Sequence, residues 1–343
     1  MEQVVKNREV VLLSYSNEGP VTDDQLKIRE TQLNLNACKE GEVVVKNMWA
    51  SVDPYLRWLM KEPNTTLYMD SFKLDQAIVS LMIGKVVVSA NPEFEVGDLV
   101  TGAYQVSDYS IVGESKLRKI DTNLAKPSDY LGPLGMIGLT AWVGFLLIGE
   151  PKPGDEVLVS AAAGATGLIV GQLAKIKGCR VVGSAGSDQK MLKEEFGFDD
   201  AFNYKSETDL DATLSKYFPR GIDIYFENVG GQMLEAVLNH INMNARIPLC
   251  GMISQYNQDW KESYGVRNIF TLVGKCGKMQ GFLVHQHLHR MEEFVKEVGG
   301  YMQQGKIKFR EDVTQGIENF LEAFNSLFSG GNTGKALVQL TAD

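Results

Sequence analysis

The chain has 343 residues, 44% hydrophobic and 22% charged, with a formal net charge of −9. That length is large for one core, so two domains are expected, and the composition is that of an ordinary globular protein. The acidic balance argues against a nucleic-acid or anionic-membrane partner, since either would require a basic face.

The first residues, MEQVVKNREVVLL, lack a long apolar run and mix acids with bases, so neither a signal nor a transit peptide is expected. The longest apolar stretches are broken by Gly and Pro and are too short to span a bilayer. Residues 8–125 read as β-rich. Val10–Leu13, Glu42–Asn47, Ile83–Ser89 and Leu99–Tyr104 are short β-favouring runs, and Phe94–Val100 reads as a turn feeding a strand. That pattern predicts a small, twisted, barrel-like domain. From residue 126 to 300 apolar strands alternate with helical segments. Strands are expected at Glu156–Ser160, Arg180–Ser184, Ala201–Asn203, Gly221–Asn228, Ala245–Cys250 and Lys278–Leu283. Helices are expected between them at Leu168–Lys177, Asp188–Phe196, Asp209–Tyr217 and Gly231–His240. The alternation predicts a doubly wound α/β domain with a parallel sheet. Residues 286–304 read as helical. Gly334–Leu340, GKALVQL, is a final β run that returns most simply to the first domain.

The segment Val157–Gly167, VLVSAAAGATG, carries the clearest chemistry. Ala162, Gly164 and Gly167 occupy the three small positions of a G-x-G-x-x-G dinucleotide loop, with strand before and helix after. Small residues there allow a tight turn, close approach of backbone to a pyrophosphate, and close packing of helix on strand. The helix N-terminus then offers N–H groups and a positive dipole end to the phosphate. NAD sites place an acid at the tip of the second strand to hold the ribose 2′-hydroxyl. Here that tip is Ala185-Gly186-Ser187; Asp188, just beyond, reads as a cap or first-turn acid of the next helix. Lys190 follows, and Tyr204 and Lys205 end the next strand region. Gly186, Ser187, Lys190 and Tyr204 suit a 2′-phosphate, so NADP(H) is expected over NAD(H).

Three of the four histidines crowd into His285-Gln-His287-Leu-His289, which lies on one face of a strand or spreads around a helix. No Cys or acid stands nearby at ligand spacing, so no metal site is expected. The four cysteines, Cys38, Cys179, Cys250 and Cys276, form no C-x-x-C pair and read as free or buried thiols of a reducing compartment, which makes the expected localisation cytoplasmic. No G-x-S-x-G elbow is present, so the chemistry falls to the cofactor and a few polar groups.

Eight motifs in order carry a family resemblance: Asp53-Pro-Tyr-Leu-Arg57; the Ala162–Gly167 loop with Gly171-Gln-Leu-Ala-Lys175; Gly183–Lys190; Gly197–Lys205; Ile222–Gly231; Cys250–Asn257; Gln280-Gly-Phe282; and Gly331–Lys335. Over essentially its whole length the chain resembles the zinc-free medium-chain dehydrogenase/reductases, and within them the NADPH-dependent 2-alkenal (double-bond) reductases of plants and the prostaglandin reductases. The resemblance implies a GroES-like β-barrel-type domain, residues 1–125 and 301–343, flanking a Rossmann domain at residues 126–300. It implies hydride transfer from NADPH to the β-carbon of an enal or enone, and a homodimer through the Rossmann sheet edge.

By the same resemblance, Ala163, Gly164, Thr166 and Gly167 cradle the pyrophosphate. Lys190 and Tyr204 bind the 2′-phosphate, which Gly186 lets approach. Asn228 holds the nicotinamide-side ribose. Cys250, Ser254 and Tyr256 line the cofactor and the reacting centre, Phe282 and Val284 border the nicotinamide, and Asn332 and Gly334 close on the cofactor. Tyr256 and the cofactor's ribose hydroxyl are the implied proton donors, and Tyr55 is a second pocket residue at the implied domain cleft. Asp53 and Arg57 read as a structural turn and ion pair. Where plant relatives carry a Gly-Tyr-Gly-like pocket segment, this chain has Ser80-Leu-Met-Ile-Gly84. Leu81 replaces the tyrosine, so a shift toward aliphatic or less polar enones is expected. An NADPH quinone reductase and a nucleotide-binding protein without turnover remain as alternatives.

Overall fold

The computed structural model of the protein describes residues 3–63, 69–113, 116–187 and 189–341, with Trp260 described by its backbone only. Asp188, expected as a helix cap, lies outside them. The chain forms two compact units, one of Met1–Leu131, Glu311–Gly331 and Ala336–Asp343, the other of Gly132–Arg310 and Asn332–Lys335.

In the second unit, six parallel strands form one sheet among the described residues. Their spatial order is Asp200–Asn203, Arg180–Ala185, Glu156–Val159, Ile222–Phe226, Ile241–Leu249, Lys278–Gly281. Numbered along the chain this is 3-2-1-4-5-6, the order of a doubly wound dinucleotide fold. The strands are near-continuous apolar runs because helices cover both faces: Val157, Leu158, Val159, Val181, Val182, Ile224, Tyr225 and Phe226 are all fully buried. The helix Ala165–Ile176 follows the first of them. The helix Leu210–Tyr217 starts where the Asp209 side chain accepts the Ala212 N–H at 3.0 Å.

Two boundaries differ from the sequence reading for visible reasons. The strand read over Gly221–Asn228 ends at Phe226, because the next residues turn, with Gly230 at φ +72°. The strand read from Ala245 begins at Ile241; its Asn242 and Asn244, the latter at φ +59°, hide it from an apolar pattern. Residues 284–303 are helical in two pieces, a 3-10 turn Val284–Arg290 and an α-helix Met291–Gln303. The helical segment Met136–Ile148 has no clear signal, since its glycines serve packing. A Cβ on Gly138 would lie 2.0 Å from the Pro133 carbonyl oxygen.

The first unit is mainly antiparallel, except that Glu311–Gln315 runs alongside Lys335–Gln339 in parallel register, with the Lys335 N–H on Arg310 O at 2.9 Å and the Gly316 N–H on Gln339 O at 2.8 Å. Among its described residues one sheet runs Glu311–Gln315, Lys335–Gln339, Glu42–Ser51, Val79–Ser89, Leu99–Gln105, Leu117–Lys119, and Tyr109–Gly113 also pairs with Glu42–Ser51. A second sheet pairs Val4–Leu12 with Leu26–Asn34 and Gln76–Ala77. The last strand joins the first domain, with Leu337 opposite Ser51 and Val338 opposite Ala50. Val45, Met82, Val100, Phe320 and Phe324 pack its core.

Candidate active site

The polar residues singled out in the second unit follow the C-terminal ends of the six parallel strands, the side where open α/β sheets bind ligands. After the first strand the chain turns sharply. Ala161 takes φ +47°, the Ala162 N–H donates to Ser184 O at 2.9 Å, and the Gly164 N–H donates to Ala161 O at 2.9 Å. Gly164 caps the helix Ala165–Ile176 with no side-chain cap and no acid in the first turn, which contains Thr166. A Cβ on Gly167 would lie 2.4 Å from Ala161 O and 2.7 Å from Ala162 Cα, so only glycine lets the helix seat on the turn. The segment 332–335 lies on this loop. Gly334, at φ +77°, donates its N–H to Ala163 O at 2.7 Å and bridges Gly164, while Asn332 Nδ2 donates to Gly334 O at 3.2 Å.

After the second and third strands, Gly186, Tyr204 and Lys205 come together. A Cβ on Gly186 would stand 2.8 Å from Lys205 Cε and 3.2 Å from both Lys205 Nζ and the Tyr204 hydroxyl. Burial raises the Tyr204 phenol above its usual range, so it stays a neutral donor. Lys190 is exposed at the start of the helix Gln189–Glu194 and lies 3.8 Å from the Glu194 carboxylate. Lys205, which the sequence reading did not assign to the 2′-phosphate, borders Gly186 in the structure; its adjacency to Tyr204 was the available signal.

The fourth and fifth strands deliver Asn228, Cys250, Ser254 and Tyr256 to one place. Asn228 Nδ2 donates to Ser160 O at 2.7 Å. The Ser254 hydroxyl donates to Val229 O at 2.5 Å, and the Ile253 N–H to Asn228 O at 3.0 Å. Tyr256 is half-buried, and its hydroxyl oxygen accepts the Met252 N–H at 3.1 Å. A phenol that accepts through its oxygen can in the same geometry act as a donor through its O–H. Burial, with the Glu227 carboxylate adding to it, pushes the Cys250 thiol up to about 12, which keeps it a neutral thiol and not a nucleophile. After the sixth strand, Phe282 and Phe226 converge on Gly144, where a Cβ would lie 2.6 Å and 2.8 Å from their rings, and Val284 opens the next 3-10 turn.

In the first unit, Tyr55 is half-buried, precedes the short helix Leu56–Leu59 and packs on that unit's core. Asp53 accepts a short hydrogen bond from the Ser51 hydroxyl, and its carbonyl accepts the Leu56 N–H at 3.2 Å. The Arg57 guanidinium is fully buried and donates to Ser16 O at 2.5 Å and Gly19 O at 2.9 Å. It ties down the 16–19 loop, and burial brings it down to about 10. Leu81 is half-buried on the Val79–Ser89 strand, opposite Ala103, and points to the face away from Ser80 and Met82.

The second unit fits a dinucleotide phosphate. It has an uncapped helix N-terminus at a glycine loop, a strand tip without an acid at Ala185–Ser187, and a glycine hollow flanked by a phenol and an ammonium. His287 and His289 stack with ring centroids 6.3 Å apart, and no group of three or more His, Cys, Asp or Glu that could hold a metal occurs among the described residues.

Residues 8–120 match the family described as "N-terminal domain of oxidoreductase", and residues 165–299 the one described as "Zinc-binding dehydrogenase". The chain is 44% identical to a 2-alkenal reductase (NADP(+)-dependent) of Nicotiana tabacum, with 100% of each chain covered. It is 41% identical to a (+)-pulegone reductase of Mentha piperita, with 99% of this chain and 100% of the relative covered. The crystal structure of CurA from Vibrio vulnificus in complex with NADPH superposes with a TM-score of 0.90 at 37% identity, over 98% of this chain and 100% of that one. With the parallel sheet, the glycine loop and these full-length matches, the chain belongs to the zinc-independent medium-chain dehydrogenase/reductase family of double-bond reductases.

Proposed function

We propose that the protein reduces the C=C bond of α,β-unsaturated aldehydes and ketones with NADPH. The observation that carries this reading is that Tyr256, Asn228, Cys250 and Phe282 each follow the C-terminal end of a parallel strand, in a chain matched end to end by an alkenal reductase. When bound, NADPH supplies a hydride for the β-carbon. The chain's residues do the rest. Ala163, Gly164, Thr166 and Gly167 offer backbone to the pyrophosphate, with Asn332 and Gly334 against them. Gly186, Lys190 and Tyr204, joined by Lys205, hold the 2′-phosphate. Asn228 holds the nicotinamide-side ribose, and Phe282, Val284, Cys250 and Ser254 line the nicotinamide side. As the β-carbon becomes saturated, negative charge develops on the substrate oxygen. Tyr256 hydrogen-bonds that oxygen through its O–H, and the α-carbon then takes the phenolic proton, which solvent replaces on Tyr256, to complete the reduction. Tyr55 and Leu81 belong to the substrate pocket of the first unit, read as GroES-like; the second unit is the NADPH-binding one.

A steady-state screen of enals, enones and quinones with NADPH tests this. The expected result is consumption with enals and enones. Turnover of quinones alone would make it a quinone reductase, and NADPH binding with no turnover a non-catalytic protein. In the same screen, Leu81→Tyr shifts the ratio of p-coumaryl-type to aliphatic enal turnover about fivefold toward the phenolic substrate, the worth of one hydrogen bond. An unchanged ratio removes Leu81 from the pocket.

We further propose a homodimer through the edge strand Lys278–Gly281. It is supported by an exposed apolar segment just before that strand: Ile269 is 43%, Phe270 77% and Val273 68% exposed. Phe270→Glu halves the mass seen by light scattering if this holds; an unchanged mass rejects the interface. Among the described residues no helix is long and apolar enough to cross a membrane. The four free cysteines support a cytoplasmic location.

A further inference from the structure

Glu227 has no part in the reading above, yet it lies at the centre of the loops that reading uses. It follows the strand Ile222–Phe226, and its side chain is fully buried. Its Oε1 accepts the Tyr225 hydroxyl at 2.8 Å, the Ser160 hydroxyl at 3.2 Å, and the backbone N–H groups of Val229 at 2.5 Å and Gly230 at 2.9 Å. Its Oε2 is buried with no hydrogen-bond partner among the described residues. Burial raises the carboxyl above its usual range, against the pull of those four donors. A buried acid with one oxygen unpaired is unfavourable for stability alone. Such departures from local rules cluster where function requires them.

The bonds around Glu227 lead to the residues of the site. The Ser160 hydroxyl accepts the Asn228 N–H at 2.9 Å, so it links the carboxyl to Asn228. The Glu227 carbonyl accepts the N–H groups of Cys250 at 2.9 Å and Gly251 at 3.1 Å. The Asn228 and Val229 carbonyls accept those of Ile253 at 3.0 Å and Ser254 at 3.2 Å. The loop that carries Cys250, Ser254 and Tyr256 therefore hangs on the backbone of residues 227–229. The Glu227 side chain accepts two N–H groups of that turn, those of Val229 and Gly230.

We propose that Glu227 is a positioning residue: its buried carboxyl fixes the turn that carries Asn228 and, through that turn's carbonyls, the loop that carries Tyr256. This rests on the roles assigned to Asn228 and Tyr256 above. The test is a double-mutant cycle of Glu227→Ala and Asn228→Ala. The readouts are the Kd for NADPH, from nicotinamide fluorescence, and kcat with an enal well below the melting temperature. Glu227→Ala is expected to weaken NADPH about tenfold and lower kcat about 10- to 100-fold, the loss that small misplacements bring. Glu227→Gln keeps an acceptor for the same four donors and is expected to recover both readouts to within about threefold. The double variant is expected to bind NADPH no more weakly than the weaker single variant, because the two residues act as one unit.

Additive losses in Kd overturn the proposal. So do a glutamine variant as weak as the alanine one, and an alanine variant that melts earlier but keeps wild-type Kd and kcat. If Asn228→Ala alone changes neither readout, the cofactor-site reading falls and the proposal with it. If Asn228→Ala weakens NADPH and the Glu227 effect merely adds, only the proposal falls. Should Glu227→Ala fail to fold, Ser160→Ala, which cuts the link between the carboxyl and Asn228, replaces it in the same cycle with the same criteria.

Discussion

Replacing Tyr256 with phenylalanine is expected to lower kcat about 100-fold, the usual loss when one hydrogen-bond donor to a developing oxyanion is removed. The KM for the enal is expected to move little. The ground-state carbonyl is a weak acceptor, and the enolate oxygen that forms from it is a strong one. A donor aimed at that oxygen therefore binds the transition state more tightly than the substrate, and its loss appears in kcat. The surroundings of the phenol support this proposal. Its oxygen is fixed by the Met252 N–H at 3.1 Å, and a Cβ on Gly251 would stand only 2.9 Å from it, so glycine there leaves the hydroxyl its room. The phenylalanine variant keeps the ring and loses only the hydroxyl. An unchanged kcat rules out Tyr256 as the donor. A raised KM with unchanged kcat would make it a binding contact only.

Removing the cations of the proposed 2′-phosphate site changes the choice between two cofactors. Lys205→Ala and Lys190→Ala are each expected to raise the NADPH KM about tenfold, the worth of one charge-assisted hydrogen bond, and together about 100-fold. NADH, which lacks the phosphate, is expected to be nearly unaffected by either. The structure gives Lys205 the stronger case, because its ammonium borders the Gly186 hollow beside the Tyr204 hydroxyl, whereas Lys190 is exposed near Glu194. Equal losses with both cofactors reject the phosphate role, and a loss confined to Lys205→Ala assigns it to that residue alone. In the same assays Gly186→Ala tests the hollow: a Cβ there would press on Lys205 at 2.8 Å.

Much of the second unit was legible because its signals are local. Val157–Val159 and Ile222–Phe226 are unbroken apolar runs since both faces of a parallel strand are covered. The three small positions of the loop are set by contacts within a few residues, as Gly167 shows against Ala161 and Ala162. The strand Ile241–Leu249 was half missed because polar Asn242 and Asn244 interrupt its pattern at the end where the chain bends. The helix Phe320–Ser329 and the segment Met136–Ile148 went unread for a different reason. Their residues are chosen by what packs on them, as with Phe294 on Gly138.

The sequence by itself determined the α/β order, the glycine loop, the strand tip without an acid and hence the preference for a phosphorylated dinucleotide, because each depends on residues close together in the chain. The tertiary structure decided which distant groups share those sites. It laid Gly334 on Ala163, set Lys205 beside Gly186, and enclosed Glu227 among Ser160, Tyr225 and the Val229–Gly230 backbone. Such neighbours are fixed by the pairing of whole strands and the return of the chain. A backbone N–H or a buried carboxylate leaves no mark in the sequence to show which partner it will meet.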